Sequence, residues 1–429
     1  MPRRLDASAP DFAAAFAAFL EAKREFEEDV DATVRDILAD VEARGDAAVV
    51  EYTNRFDRRE LTVETLRFSD GEVEGATGAC DLETLAALQK AADRIEAFHR
   101  RQFPQDFSYT DADGIHLGMR WTPLDAVGLY VPGGTAAYPS SVLMNAIPAR
   151  VAGVPRLAMV VPTPGGRVNP LVLAAARIAG VREIYRIGGA QAVGALAYGT
   201  ATVAPVDKIV GPGNAYVAAA KRRVFGRVGI DMIAGPSEIL VIADAENDPH
   251  WIAADLLSQA EHDTAAQSIL ITDDKAFATA VEAAVDQTLA RLDRKEIAAV
   301  SWADNGAIIL VPDLGAAAAL ADRIAPEHLE LAVADPAALA AKVRHAGAIF
   351  LGRHTPEAVG DYVAGPNHVL PTSRSARFSS GLGVLDFMKR TTLVGCDPAG
   401  LGRIGPAAVA LAEAEGLGAH ALSVAVRLG

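Results

Sequence analysis

The sequence reads Ala126-Val127-Gly128-Leu129-Tyr130-Val131 and then Pro132-Gly133-Gly134-Thr135, an apolar run that ends in a glycine-rich turn. Similar β-rich runs recur at 157–161, 183–187 and 207–210, and Ala- and Leu-rich helical segments separate them. Short strands that alternate with helices predict a parallel sheet covered by helices. The central stretch is therefore predicted to be an α/β domain.

Three glycine-rich turns follow these strands. The second is Gly188-Gly189-Ala190-Gln191 and the third is Gly211-Pro212-Gly213-Asn214. In a parallel α/β sheet, ligands bind at the carboxyl ends of the strands, where such turns bring backbone N–H groups close to a phosphate or ribose. None completes the dinucleotide fingerprint, since Tyr216 takes the position of its last glycine.

The charge distribution limits the class of ligand. The net charge of −15 argues against a nucleic acid or an anionic membrane as partner. Residues 130–237 nevertheless hold eleven Lys and Arg against three Asp and Glu, so they carry +8 and the rest of the chain −23. This excess suits a small anionic ligand such as a nucleotide, and uneven surface charge explains it equally well.

Length and composition predict more than one domain. A chain of 429 residues with 51% hydrophobic content is long enough for two or three cored domains. Further strands are predicted at 239–242, 268–272, 307–311 and 348–351, amphipathic helices at 30–44 and 82–101, and a hairpin within 107–121.

We therefore predict an α/β fold of two incomplete Rossmann-like domains, one inserted in the other. The inserted domain, which carries the three glycine-rich turns, spans 130–237, and a discontinuous domain spans 23–129 and 238–378. A helical segment, 1–22, and a helical tail, 379–429, complete the chain.

The N-terminus and the cysteines indicate a cytoplasmic protein. No uninterrupted apolar stretch near the N-terminus resembles a signal peptide or membrane span. Cys80 and Cys396 cannot build a disulfide framework, and neither lies in a CxxC pair. Both are read as having no part in the chemistry.

Two polar segments are candidates for the chemistry. If residues 251–262 are helical, Gln259 and His262 share a face, as two ligands of one metal would, although a solvated helix end explains them too. Glu327 and His328 follow a helix and a proline, so they are predicted to lie on a loop. Histidine is a natural base at neutral pH and glutamate can activate water, while an ordinary surface turn is the alternative.

Six segments in the same order over nearly the whole chain resemble the histidinol dehydrogenase family. They are Gly211-Pro212-Gly213-Asn214, Asp231-Met232-Ile233-Ala234-Gly235-Pro236-Ser237-Glu238, Leu257-Ser258-Gln259-Ala260-Glu261-His262, Pro326-Glu327-His328-Leu329-Glu330, Gly360-Asp361-Tyr362, and Gly365-Pro366-Asn367-His368-Val369-Leu370-Pro371-Thr372. The resemblance implies a zinc-dependent, NAD-linked enzyme that oxidises L-histidinol to L-histidine through L-histidinal in two hydride transfers.

The resemblance also implies a set of site residues. His328 would be the base for the alcohol and Glu327 the activator of water for the aldehyde. The zinc ligands would be Gln259, His262, Asp361 and His420. The NAD contacts would be Tyr130, Gln191 and Asn214. The substrate contacts would be Ser237, Gln259, His262, Glu327, His328, Asp361, Glu415 and His420.

Members of this family are homodimers in which the tail reaches into the partner's site, so Glu415 and His420 are expected to act in trans. A water route also fits the sequence better than a cysteine thiohemiacetal, because neither cysteine lies in a motif. Three alternatives stay open: a zinc hydrolase, a non-catalytic nucleotide-binding protein, and a dehydrogenase of a related amino alcohol.

Overall fold

A computed structural model describes residues 1–22, 30–133, 138–233 and 235–429. Three sequence-based expectations therefore fall partly outside the described residues. They are the first glycine-rich turn at Gly134 and Thr135, the start of the predicted discontinuous domain at 23–29, and the second resembling segment at Ala234.

The described residues form fourteen strands and seventeen α-helices. The strands are β1 (Arg3–Asp6), β2 (Phe107–Thr110), β3 (His116–Pro123), β4 (Ala126–Tyr130), β5 (Arg156–Val160), β6 (Glu183–Tyr185), β7 (Lys208–Val210), β8 (Gly229–Ile230), β9 (Glu238–Ala243), β10 (Gln267–Thr272), β11 (Ala307–Leu310), β12 (His328–Ala332), β13 (Ala348–Leu351) and β14 (Met388–Gly395). The helices are α1 (Phe12–Glu21), α2 (Asp31–Arg44), α3 (Asp46–Asp57), α4 (Asp70–Gly78), α5 (Leu82–His99), α6 (Pro139–Ala152), α7 (Pro170–Ile178), α8 (Gly189–Tyr198), α9 (Ala215–Val224), α10 (Pro249–Ala260), α11 (Lys275–Leu289), α12 (Lys295–Asn305), α13 (Leu314–Ile324), α14 (Pro336–Ala340), α15 (Glu357–Tyr362), α16 (Pro398–Ala414) and α17 (Gly418–Ala425).

The predicted α/β class is confirmed by two parallel sheets. The five-stranded sheet has the order β6-β5-β4-β7-β8 and the six-stranded sheet the order β1-β11-β10-β9-β12-β13. Leaving β1 aside, both follow one scheme: the first strand in sequence lies in the centre, the next two extend to one side and the last two to the other. This is the strand order of a doubly wound fold without its sixth strand.

Apolar residues explain why both sheets are covered. All five residues of β4 and all six of β9 are buried, as expected for parallel strands with helices on both faces. Two apolar clusters lie on the faces of the five-stranded sheet, and two more on those of the six-stranded sheet.

The packing groups the chain differently from the predicted domains. Helices α2, α3, α4 and α5, which we had assigned with residues 238–378, pack on the helices of the five-stranded sheet. The charges show why: Arg150 pairs with Glu96 at 2.6 Å, Arg186 with Glu72, and Arg223 with Asp31. Much of the positive excess of residues 130–237 thus meets acidic groups of the preceding helices.

The chain termini contain strands that the sequence did not predict. Within the segment predicted to be helical, β1 joins the edge of the six-stranded sheet beside β11, and Phe16 and Phe19 of α1 are buried in its core. Within the predicted helical tail, β14 pairs with β3, which pairs with β2 in the predicted hairpin. The tail helix is broken near Gly416, which has a positive φ of 74°. None of the helices described is long and apolar enough to cross a membrane.

Candidate active site

The candidate catalytic residues lie at the amino ends of the central strands of the six-stranded sheet. His328 is the first residue of β12 and is in register with Ile239 of β9. Ser237 directly precedes β9, so it lies at the same end of the sheet. Sequence analysis predicted a loop here, and that prediction is wrong for His328: β12 is fully buried between β9 and β13, so strand pairing decides its conformation.

Backbone contacts fix the orientation of the His328 ring. Its Nδ1 lies 2.9 Å from the carbonyl oxygen of Glu238. Because a carbonyl only accepts, Nδ1 carries the hydrogen and donates it. The other ring nitrogen, Nε2, faces two acids, at 3.5 Å from Asp361 Oδ1 and 3.7 Å from Glu357 Oε1. Nε2 is therefore the atom available to a substrate.

Glu327 lies beside His328, and the backbone of Glu238 in β9 holds both side chains. Its Oε2 accepts a hydrogen bond from the backbone N–H of Glu238 at 2.9 Å and lies 3.7 Å from His328 Nδ1. Burial raises the pKa of Glu327 to about 7, although His328 opposes the rise. A carboxyl group with a pKa near neutrality exchanges protons readily at physiological pH.

The surrounding acids control the charge of His328. Burial by itself lowers its pKa, but Glu327, Asp361 and Glu357 together raise it to about 10. Burial by itself raises the pKa of Asp361. The hydrogen bond that His328 donates to Asp361 and the electrostatic effect of the nearby His368 more than offset this, and the pKa of Asp361 falls to about 2. The neighbouring acids therefore favour the protonated, positively charged form of the His328 ring.

Helix α10 carries the predicted ligand Gln259 and leads directly to the second, His262. Asp248 caps its start by accepting a hydrogen bond from the N–H of His250, and Pro249 takes the first position. Gln259 is 1% exposed, and neither of its amide atoms has a hydrogen-bond partner among the described residues. A buried amide without a partner is costly, so this side chain suits a ligand that the structure does not contain.

His262 lies just past α10 and is exposed. Its N–H donates to the carbonyl oxygen of Gln259 at 3.1 Å, which keeps the two residues on one turn. Desolvation of the His262 ring by the surrounding protein lowers its pKa, while the nearby Asp361 opposes this change. A neutral imidazole is the form that binds a metal ion.

Asp361 and Glu357 lie one turn apart on α15. Ligand atoms of His328, Glu357 and Asp361 all lie within 4.8 Å of one another, close enough to hold one metal ion. Glu357, which is 2% exposed, was missed by the sequence analysis. Its spacing of four residues before Asp361 places both side chains on one helix face, and this spacing was the available signal.

The tail residues predicted for the site are exposed in the single chain. Glu415 ends α16 and His420 lies on α17. Within the described residues, neither forms a hydrogen bond or an ion pair with the cluster around His328.

The amide, imidazole and carboxylate donors of Gln259, His262 and Asp361 fit zinc, which favours such nitrogen and oxygen ligands.

The predicted NAD contacts lie at the carboxyl edge of the five-stranded sheet. The hydroxyl group of Tyr130, at the end of β4, accepts a hydrogen bond from the N–H of Gly189 at 2.9 Å, so the turns after β4 and β6 are joined. Burial raises the pKa of Tyr130 to about 12. Gln191 is 2% exposed, and its Oε1 has no hydrogen-bond partner among the described residues.

The third turn approaches the same place from β7. Gly211 has a φ of 110°, and a Cβ atom there would lie 2.0 Å from the carbonyl oxygen of Tyr130, so glycine is required. Asp231 accepts a hydrogen bond from the N–H of Gly211 at 2.7 Å and pairs with the buried Lys221. Asn214 caps α9 and is exposed beside this turn. The turns after β6 and β7 therefore both meet Tyr130 at the end of β4.

Known proteins resemble this chain over nearly its whole length. A family model described as histidinol dehydrogenase matches residues 20–428. The chain is 71% identical over 429 residues to a histidinol dehydrogenase of Rhodospirillum rubrum, covering 100% of this chain and 99% of that protein. It is 67% identical over 428 residues to one of Ruegeria pomeroyi, with the same coverage.

A solved structure extends the likeness to three dimensions. The crystal structure of histidinol dehydrogenase from Elizabethkingia anophelis superposes with a TM-score of 0.95 at 36% identity, covering 100% of this chain and 98% of that chain. Sequence and fold agree over the full length. The chain belongs to the histidinol dehydrogenase family.

Proposed function

We propose that this protein oxidises L-histidinol to L-histidine through L-histidinal. Each turnover would use two molecules of NAD, and each site would hold one zinc ion. The carrying observation is the buried pair Glu327 and His328, whose imidazole lies within 3.7 Å of the carboxylates of Glu357 and Asp361. Family membership supports the reaction, and the cluster supports its chemistry. The oxidation of a related amino alcohol would use the same groups, and the substrate comparison described below separates the two.

The ligands for zinc would be Gln259, His262 and Asp361, together with His420 of a second copy. These residues would place a cation where it can coordinate the imidazole and amine of the substrate. Because the cation would neutralise the charge of Asp361, the pKa of His328 would fall toward the range in which imidazole acts as a base. Glu357 faces the same ligand atoms and adds negative charge to the site.

In the first oxidation, His328 would take the alcohol proton on Nε2, the nitrogen that its bond to Glu238 leaves free. The hydride would leave the carbon that bears this alcohol group and pass to the nicotinamide bound at the glycine turns. In the second oxidation, Glu327 would take a proton from the water that adds to the aldehyde. His328 would return its first proton to the aldehyde oxygen as the water adds, and it would then accept the proton of a hydrate hydroxyl group as the second hydride leaves to the second NAD.

Tyr130, Gln191 and Asn214 would hold the dinucleotide at the carboxyl edge of the five-stranded sheet. The buried, unpaired oxygen of Gln191 and the converging turns support this placement. Ser237, at the amino end of β9, would contact the substrate. Fast exchange of the cofactor is needed because each substrate uses two NAD molecules, and the incomplete fingerprint agrees with weak binding.

We further propose a cytoplasmic homodimer in which Glu415 and His420 complete the site of the partner. The support is their exposure on the tail helices, where they make no contact with their own cluster. An exposed apolar set on the same helices, Leu411, Leu422 and Val426, is suited to burial against a second copy. The tail would then be ordered by the contact that brings His420 to the metal.

The reaction is tested by following NADH formation from L-histidinol and from related amino alcohols, with and without a chelator. We expect two NADH per histidinol, little reaction with the other alcohols, and loss of activity after chelation. A hydrolase would form no NADH with any of them. A non-catalytic nucleotide-binding protein would bind NAD and turn over nothing.

Removal of the tail tests the proposal that it acts in trans. A chain ending at Gly416 lacks His420, so we expect it to lose activity and bind zinc more weakly. A mixture of the truncated protein with a His328→Asn protein should regain part of the activity, because a mixed dimer contains one complete site. An active, zinc-loaded truncated protein would refute the proposal.

A further inference from the structure

Lys221 and Asp231 form a buried ion pair that the proposed reaction does not use. Lys221 lies on α9 and Asp231 directly follows β8, and only 4% and 2% of the two side chains are exposed. Bringing two charges out of water is costly, and apolar residues of similar volume often stabilise a core at least as well. Stability alone therefore does not explain why this pair is present.

Both side chains bond to the backbone of Gly211. This residue lies one position past β7, beyond the last residues of β7 that pair with β4 and β8. Its N–H donates to Asp231 Oδ2 at 2.7 Å, and its carbonyl oxygen accepts a hydrogen bond from Lys221 Nζ at 2.9 Å. Lys221 Nζ also donates to Asp231 Oδ1. For this one residue, the ion pair thus takes the place of a neighbouring strand.

The same contacts close the third glycine-rich turn at both ends. Asn214, the cap of α9, accepts a hydrogen bond from the N–H of Val217 at 3.2 Å. Lys221 lies seven residues after Asn214, so the two are on one face of the helix, two turns apart. Helical side chains lean toward the N-terminus, and Lys221 therefore reaches back to Gly211. The chain from Gly211 to Lys221 is closed into a loop that fixes the position of Asn214.

Gly211 needs this support because no side chain of its own sets its conformation. Its φ is 110°, and a Cβ atom there would lie 2.0 Å from the carbonyl oxygen of Tyr130. Glycine is the most flexible residue, so neighbouring contacts must select the one conformation that fits. Hydrogen bonds to charged partners are about twice as strong as those between neutral groups. A buried ion pair is therefore suited to hold this turn beside Tyr130.

We propose that Lys221 and Asp231 are positioning residues for the dinucleotide, because they hold the turn at Gly211 beside Tyr130 and so place Asn214 for NAD. The inference rests on the proposed NAD site and goes beyond it, since neither side chain would touch the cofactor. The contacts that carry the role are those with the backbone of Gly211.

Single substitutions of the pair test this role in the full-length protein. Lys221→Met removes the donor to the Gly211 carbonyl oxygen at similar length. In Asp231→Asn, an amide nitrogen replaces one of two carboxylate oxygens that both accept hydrogen bonds. We expect the Kd for NADH to rise about tenfold in each variant, as for a lost hydrogen bond to a charged group. NADH binding is measured by titration of its fluorescence, independently of activity.

Steady-state kinetics provide a second readout. The KM for NAD should rise with the Kd for NADH in the variants of Lys221 and Asp231. The kcat at saturating NAD, the KM for histidinol and the zinc affinity should change little, because the catalytic cluster belongs to the other sheet. A purely structural role would lower the melting temperature without this selective change.

The double variant Lys221→Met with Asp231→Asn keeps the test valid if a lone buried charge prevents folding. It contains no unpaired charge at this place, and it still lacks the hydrogen bond from Lys221 to Gly211, so NADH binding should remain weak. Because the two side chains act as one unit, the loss of affinity should be smaller than the product of the two single losses.

An ion pair at the opposite end of the same sheet is the matched control. Arg156 begins β5 and Glu183 begins β6, and Arg156 Nη2 lies 3.0 Å from Glu183 Oε2. Both residues are at the amino ends of their strands, away from the glycine turns. Arg156→Met and Glu183→Gln should therefore lower the melting temperature without changing the Kd for NADH.

The outcomes separate this inference from the proposed function. A folded double variant that binds NADH as tightly as the unchanged protein would overturn it. Equal losses of NADH affinity in Arg156→Met and Lys221→Met would overturn it too, because the effect would then follow from general destabilisation. If the unchanged protein binds no NADH, the proposed NAD site itself fails. Weaker NADH binding confined to the variants of Lys221 and Asp231 supports the positioning role.

Discussion

The two parallel sheets share one strand order and use opposite ends of it. The five-stranded sheet has glycine turns at the carboxyl ends of β6 and β7, and both meet Tyr130 at the end of β4. The six-stranded sheet gathers Ser237, Glu327 and His328 at the amino ends of β9 and β12. For the two proposed sites, the general rule that ligands bind at the carboxyl ends would hold for one sheet and fail for the other.

The six-stranded sheet shows what occupies its unused end. After β9, Asp244 accepts hydrogen bonds from the N–H of Ala334 at 2.9 Å and from Arg353 at 2.7 Å. The Asn247 amide donates to the carbonyl oxygen of Ala332 at 2.7 Å. Side chains of the protein itself thus fill the crevice between β9 and β12. A parallel sheet has two ends at which a ligand could bind, and the local side chains decide which end is accessible.

The largest effect is expected at the amino end, from His328→Asn. Asparagine keeps a polar group near Glu238 but cannot take up a proton, so oxidation of histidinol should slow by roughly 10²–10⁴-fold. The KM for NAD should stay unchanged, because the cofactor turns belong to the other sheet. Steady-state kinetics with each substrate varied separately measures both values. A large rise in the KM for NAD would contradict the separation of the two ends.

Glu327→Gln should separate the two oxidations. Turnover of supplied histidinal should fall more than the first hydride transfer from histidinol, because only the aldehyde step needs an activated water. With a pKa of about 7, Glu327 is neutral below that pH and a carboxylate above it. Aldehyde oxidation should therefore rise with pH through about 7 in the unchanged protein, and this rise should vanish in the variant. Equal losses in both steps would refute the division of roles.

A smaller effect is expected at the carboxyl edge, from Gly211→Ala. The added Cβ would meet the carbonyl oxygen of Tyr130 at a positive φ, at a cost of about 1–3 kcal/mol. If the turn shifts, the KM for NAD should rise about tenfold, while the chemistry of bound substrate persists. Gly226→Ala is the matched control, since it has a φ of 101° with no atom within 4 Å of the new Cβ. A normal KM for Gly211→Ala would contradict the role of this turn.

Sequence analysis recovered what local pattern determines and missed what distant pairing determines. The apolar runs that became β4, β9 and β10, and the helices α2 and α5, were predicted close to their observed bounds. β12 was taken for a loop because it begins with polar residues after a proline, and only its pairing with β9 and β13 makes it a strand. β1 and β14 escaped notice for the same reason, as their exposed, charged residues show no alternation.

The candidate site shows the same division. Gln259 and His262 were recognisable as a pair because one helical turn joins them. The contact of Asp361 with His328 depends on how α15 packs against β12, so the sequence indicated it only through the family resemblance. Glu357 lies in no segment that was quoted for that resemblance, and its burial beside His328 appears only in the fold.

The smallest effect is expected at the filled carboxyl end of the six-stranded sheet, from Arg353→Met. The pair with Asp244 is partly exposed, with 24% and 16% of the two side chains accessible, so its loss should cost about 1 kcal/mol or less of unfolding free energy. Zinc affinity, kcat and both KM values should not change, because the site lies at the other end of β9. Chemical denaturation measures the first quantity and steady-state kinetics the rest. A rise in the KM for NAD or histidinol would show that this end takes part in binding, and the contrast between the two sheets would then be one of degree.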